Sequence, residues 1–149
     1  MQAPRMYIDP ATRVITTVVP APHGCNMKCS YCAIDFFDPA NEIKLTRSDY
    51  EYFTRNLLTE GNADRFEVVG HEPLLPESWD TTRSLLQIAE QERKEKRLIT
   101  NGTFLKNHAF ELAELDTQVS VSLDAGTPYE HDRLRKTLGA FENALRGIQ

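Results

Sequence analysis

An α/β fold built on a parallel sheet is what the sequence predicts, and three observations predict it. Short runs rich in β-branched residues recur at VITTVV (14–19), RFEVVG (65–70), RLIT (97–100) and QVSVSL (118–123), each of strand length. Longer stretches with apolar residues at helical spacing separate them. Alternation of strand and helix forces right-handed crossovers, and hence parallel pairing. At roughly 30 residues per βα unit, four units fill the chain after a leader of residues 1–13, leaving the fourth strand at an open edge.

The elements follow in order. VITTVV ends at Pro20, and Pro20, Pro22 and Gly24 make the next segment an irregular loop. The first helix has both ends marked: Ser48 and Glu51 stand three apart as a capping box, Tyr50, Phe53 and Leu57 repeat at helical spacing, and Gly61 sits where a C-cap glycine belongs. After RFEVVG a second helix is expected from about Ser78 to Lys96, with Leu85, Leu86 and Ile88 inward. Its end includes ERKEKR (92–97), whose alternating charges read as a solvated helix terminus. Following RLIT, a third helix is expected over about Asn107 to Leu115, with Phe110 and Leu112 inward. Beyond QVSVSL a last helix starts near Phe141 and runs to Gln149.

A length of 149 residues suits one domain. No apolar run approaches the roughly 18 residues of a membrane span. The opening residues MQAPRMYIDPATR lack the basic start, apolar middle and cleavage site of a secretory signal, so the expected compartment is the cytoplasm. A formal net charge of -5 argues against a general nucleic-acid-binding surface.

All three cysteines, Cys25, Cys29 and Cys32, lie in HGCNMKCSYC (23–32). An odd number of thiols in a reducing compartment points to metal rather than to disulfides. The loop follows the C-terminal end of the first strand, where parallel α/β folds hold their ligands. Zinc is one candidate, with His23 as a fourth ligand. A ferredoxin-type centre takes four cysteines per cluster, and only three exist. Three thiolates on a four-iron cubane leave one iron without a protein ligand, and open positions are where metal chemistry occurs.

The spacing CxxxCxxC, with Tyr31 just before the last cysteine, resembles the signature of the radical S-adenosylmethionine (SAM) enzymes. The resemblance runs from Val14 to the end and implies a partial TIM-type barrel of usually six βα units, about four of which are present. It implies a [4Fe-4S] cluster on Cys25, Cys29 and Cys32, whose open iron is chelated by the amino and carboxylate groups of SAM. An external one-electron reductant is implied as well. Gly70-His71-Glu72-Pro73 is similar to the family's GGEP segment, which holds the SAM ammonium, with His71 in place of the second glycine. Thr100-Asn101-Gly102 matches a TNG often found after the third strand, although Asn-Gly is also an ordinary turn pair.

The stretch from Val119 through AGTPYEHDRLR to FENALRGI resembles the branch that includes sulfatase-maturing and peptide-modifying enzymes. Period two sets Ser120, Ser122 and Asp124 on one face, read as pocket, and Val119, Val121 and Leu123 on the other, read as core. The resemblance then gives Ser122 and Asp124 to the carboxylate and ribose of SAM, and Arg135 to the carboxylate, with Arg133 as the competing choice. Tyr31 would line the SAM pocket. The function implied is reductive cleavage of SAM to a 5′-deoxyadenosyl radical that abstracts hydrogen from a substrate, with a slight tilt toward peptide. The rival reading is a truncated or degenerate relative that binds a metal or a partner chain without making a radical. The fifth and sixth units, and a C-terminal domain with auxiliary clusters, have no counterpart in the sequence.

Overall fold

The computed structural model describes residues 6–9, 14–19, 24–32, 45–60 and 63–149. Pro20, Pro22, His23, Gly61 and most of the leader lie outside them. The chain order is β1 (Met6–Asp9), β2 (Val14–Val19), α1 (Arg47–Glu60), β3 (Arg65–Gly70), α2 (Pro76–Gln91), β4 (Glu95–Thr100), α3 (Leu105–Glu114), β5 (Thr117–Val121), α4 (Pro128–Arg135) and α5 (Ala140–Ile148). The sheet runs in chain order, β1 to β5. From β2 onward each strand pairs in parallel with the next, and a helix returns the chain between them, as parallel pairing requires. Within the segment read as a leader, β1 pairs antiparallel with β2, Met6 opposite Thr17 and Asp9 opposite Val14. Four residues carry too little periodicity to announce that strand.

Register decides what each face of the sheet carries. Phe66 and Val68 stand beside Lys96 and Leu98, and Leu98 beside Val119. That face is covered by α1, α2 and α3, and its core includes Leu58, Phe66, Leu74, Leu85, Leu86, Leu98 and Leu112. Each such side chain stabilises the fold by roughly 2 kcal/mol through burial. The opposite face is charged. Arg65 pairs with Glu95 at 3.0 Å, and Arg97 reaches Glu67 at 3.3 Å and the Ser120 hydroxyl at 2.9 Å.

This alternation corrects the reading of ERKEKR. The second helix ends at Gln91, Arg93 turns left-handed with φ 54°, and Glu95, Lys96 and Arg97 are strand residues. Lys96 is only 6% exposed because its stem lies on the helix-covered face, and its ammonium pairs with Glu90 of α2. Charges at period two can belong to a strand as well as to a solvated helix.

Other boundaries shift for local reasons. Thr46, not Ser48, caps α1: the Asp49 carboxylate accepts from the Thr46 N–H at 2.8 Å, and the Thr46 hydroxyl accepts from the Asp49 N–H at 3.3 Å. The buried stripe is accordingly Tyr50, Thr54 and Leu58, with Phe53 and Leu57 at its margin. On α3 it is Leu105 and Leu112 that face inward, whereas Phe110 is 75% exposed. Helix α4 was not expected, because PYEHDRLR has no apolar period. Its start is nevertheless encoded: the Thr127 hydroxyl accepts from the Glu130 N–H at 3.3 Å, and Pro128 occupies the first turn. No helix among the described residues is long and apolar enough to cross a membrane.

Helix α5 seats on the turn between β4 and α3 through small residues. Gly102 has φ +83°, and a methyl group there would lie 2.8 Å from Val121 Cγ1 and 3.0 Å from Ala144 Cα. Between α2 and α3, His108 stacks on Trp79 at 4.1 Å, and burial pulls its pKa down against the opposing pull of Glu111.

Gly102→Ala should therefore destabilise the protein by about 3 kcal/mol, combining overpacking with left-handed strain, as read by urea unfolding. A His108 pKa below its unfolded value means the unfolded chain binds the extra proton first. The stabilisation from a neutral His108 is complete above pH about 6.5 and is lost as pH falls. His108→Gln should flatten the acid-side slope of stability against pH; an unchanged slope would assign it elsewhere.

Candidate functional site

The C-terminal ends of β3, β4 and β5 lie at one edge of the sheet, and the cysteine loop is fastened to them. Met27 anchors the loop in the interior. Cys25, Cys29 and Cys32 are free, partly buried thiols. From the end of β4, the Asn101 amide donates to Asn26 Oδ1 at 2.8 Å and lies 3.7 Å from Cys25 Sγ. From α4, the Leu134 carbonyl accepts from the Ser30 N–H at 2.9 Å, and Arg135 Nη1 lies 3.6 Å from Cys29 Sγ. Two of the three sulfurs thus have an N–H group close by. Burial, aided by the Glu72 charge, pushes the Cys25 thiol up, while the Met27 backbone and Asn101 pull it down.

Glu72 is fully buried. Its carboxylate accepts from the Leu74 N–H at 3.1 Å, the Thr100 hydroxyl at 2.6 Å and the Asn101 N–H at 2.8 Å. Burial raises its pKa, opposed by these three donors. Gly70, which ends β3, has φ 147°, a backbone position suited to glycine. His71 Nδ1 is buried without a hydrogen-bond partner among the described residues. Asn101 also closes the following turn, its Oδ1 accepting from the Thr103 N–H at 2.9 Å.

On the β5 side, Ser122 and Asp124 lie just beyond the strand, which ends at Val121. Val119 and Val121 pack on the core and Ser120 faces the charged side, but the alternation stops there and Leu123 is 41% exposed. Arg135 is buried and Arg133 is exposed, so only the former reaches this site. Arg135 Nη2 donates to Asp124 Oδ1 at 3.0 Å and to the Ser122 carbonyl at 3.2 Å. Its Nε lies 2.6 Å from Asp124 Oδ2 as a charge contact without hydrogen-bond alignment. Burial alone would lower the Arg135 pKa, but Asp124 and the Cys29 sulfur raise it on balance.

Tyr31, half exposed, donates its hydroxyl to Asp124, and its ring centre lies 5.7 Å from the guanidinium carbon. Burial and then the bond to Asp124 push its phenol upward, so Tyr31 stays protonated. The Asp124 N–H donates to His131 Nδ1 at 3.2 Å, while His131 Nε2 is buried without a partner among the described residues. The structure therefore brings Tyr31, Asp124, Arg135 and Cys29 into one network, and Glu72, Asn101 and Cys25 into another. Asn26, Ser30 and His131 were not singled out from sequence. Of these, His131 stood in the quoted HDRLR stretch, where a turn-adjacent histidine carried a usable signal.

Two comparisons bear on what these networks serve. The model of the Radical SAM superfamily matches residues 19–149, and the chain belongs to that superfamily. The fold is similar to that of a solved structure of a hexahistidine-tagged protein, anSMEcpe, with bound AdoMet. That likeness has a TM-score of 0.69 and 25% sequence identity and covers 89% of this chain and 38% of that one. The chain thus spans well under half of that protein's length and carries the radical SAM domain. No curated protein matches the chain significantly.

Glu72→Gln should destabilise the protein by about 2 kcal/mol, since an amide cannot accept from two backbone N–H groups and a hydroxyl as a carboxylate does. Urea unfolding measures the loss; equal stability of the variant would mean the three bonds count for little.

Proposed function

We propose that this domain uses a [4Fe-4S] cluster on Cys25, Cys29 and Cys32 to cleave SAM reductively. The observation that carries the reading is the fastening of the three-cysteine loop to the end of β4 and to α4, with N–H groups of Asn101 and Arg135 near two sulfurs. A four-iron cluster takes each thiolate on a different iron, and three thiolates leave one iron open.

When bound and reduced, the cluster supplies the electron that breaks the sulfonium–C5′ bond of SAM. The chain's own residues bind and orient. Arg135 offers a planar fork suited to the SAM carboxylate, at the level of the Ser122 carbonyl. Gly70 gives the backbone room beside the ammonium, and Glu72 places a buried acidic group beneath the ends of β3 and β4. Asn101 positions the cysteine loop through Asn26, and Tyr31 and Asp124 border the approach to Arg135. Ser122 is the proposed contact toward the carboxylate and ribose, and Asp124 flanks it on Arg135.

The finer reading keeps four βα units of a six-unit partial barrel, the branch with sulfatase-maturing and peptide-modifying enzymes, and a peptide substrate. It rests on the resemblance of the passage after Val119. A reducing compartment, the cytoplasm, and an external one-electron donor go with free thiols and such a cluster.

Anaerobic reconstitution with iron and sulfide should give a brown protein, and SAM with dithionite should then yield 5′-deoxyadenosine and methionine. Cys29→Ser should reduce product to background. A protein that binds the cluster but forms no 5′-deoxyadenosine would be a non-catalytic relative, and one that binds no cluster would overturn the reading.

A further inference from the structure

We propose that Asp124 is a displaceable internal stand-in for the SAM carboxylate, keeping the Arg135 fork aligned until the ligand replaces it. The inference rests on the reading of Arg135 as a carboxylate site. The Arg135 side chain is 11% exposed, and Asp124 faces its Nε and Nη2 edge, hydrogen-bonded to Nη2 and in charge contact with Nε. A guanidinium so deeply placed is strongly disfavoured without a counter-charge, and an incoming carboxylate needs the edge that Asp124 fills. Nη1 lies toward the Cys29 sulfur and Nη2 also serves the Ser122 carbonyl, so a carboxylate arriving at the Nε side competes with Asp124 for it.

Asp124 is the member built to leave. Its side chain is 24% exposed, twice that of its partner, so it regains water at less cost. Its main chain stays pinned, because its N–H donates to His131 Nδ1 at 3.2 Å. Arg135 keeps the Ser122 carbonyl at 3.2 Å and the Cys29 sulfur at 3.6 Å after Asp124 departs. A ligand gains by its differential affinity for the open arrangement, so the Asp124 charge weakens binding of any ligand that brings a carboxylate. Asp124 acts here as a positioning residue, through Arg135.

The test compares two ligands on the anaerobically reconstituted protein: SAM, and 5′-deoxy-5′-methylthioadenosine, which has the adenosine part and no carboxylate. Asp124→Asn preserves shape and a hydrogen bond to Tyr31 while removing the charge. It should tighten SAM by roughly fivefold or more and leave methylthioadenosine unchanged, with titration calorimetry as the readout. Weaker binding of both would make Asp124 a direct ribose contact or a purely structural residue, and overturn the proposal. So would a loss confined to SAM. If the wild type binds SAM no better than methylthioadenosine, the carboxylate site itself falls and the stand-in falls with it. Thermal melting checks that the variant folds, and Asp124→Ser gives the same comparison should the asparagine disturb the loop.

Discussion

A carboxylate with no access to water ties the end of β3 to the end of β4, and the site hangs from that tie. Glu72 accepts from Thr100 and Asn101 across the strand gap and from Leu74 in its own turn. A carboxylate buried without donors would be driven to its neutral form; three donors oppose that. The bonds spread outward. The Thr100 hydroxyl also accepts from the Gly102 N–H at 3.0 Å, shaping the turn on which α5 sits, while the Asn101 side chain holds the cysteine loop. One acidic side chain thus sets the relative heights of two strand ends and, through them, of the first thiol.

The other side of the loop depends on α4, a short helix of mostly polar residues. Its place is secured at both ends: Thr127 caps its start, and Asp132 accepts from the N–H groups of Gly139 and Phe141 at 2.6 and 2.9 Å, joining it to the start of α5. That rigidity lets Leu134 and Arg135 meet Ser30 and Cys29. Charge is thereby concentrated at the loop: a buried arginine on one flank and a buried glutamate on the other, while the other ion pairs among the described residues lie mostly at the surface or on the charged sheet face.

How much of this was legible in the sequence depends on whether local pattern or distant contact decided it. The parallel strands were legible because buried strands need β-branched runs whatever surrounds them, and the cysteine loop because thiol spacing is a covalent fact. The start of β4 was not, since Lys96 is buried only by virtue of Glu90 and the face it lands on. Phe110 stands exposed because α3 turns Leu105 and Leu112 inward, a choice the packing of α5 and α2 makes and its own periodicity does not. At the site, the resemblance pointed to Glu72, Asn101, Tyr31, Asp124 and Arg135, but not to the contacts among them. That Glu72 is spent on Thr100 and Asn101, and Asp124 on Arg135 and Tyr31, depends on strand ends brought together from 28 and 11 residues away.

The seat of α5 has one further meaning. A methyl group at Gly147 would stand 2.6 Å from the Gly102 carbonyl oxygen and 3.0 Å from Leu105 Cβ, so only glycine passes at the point where helix and turn cross. Sliding α5 by one residue in either direction would push Arg146 or Ile148 into that gap. The crossing therefore works as a detent: the helix has one axial setting. Because α4 joins α5 through Asp132, a helix with no contact to the thiols limits how far Arg135 can drift from Cys29.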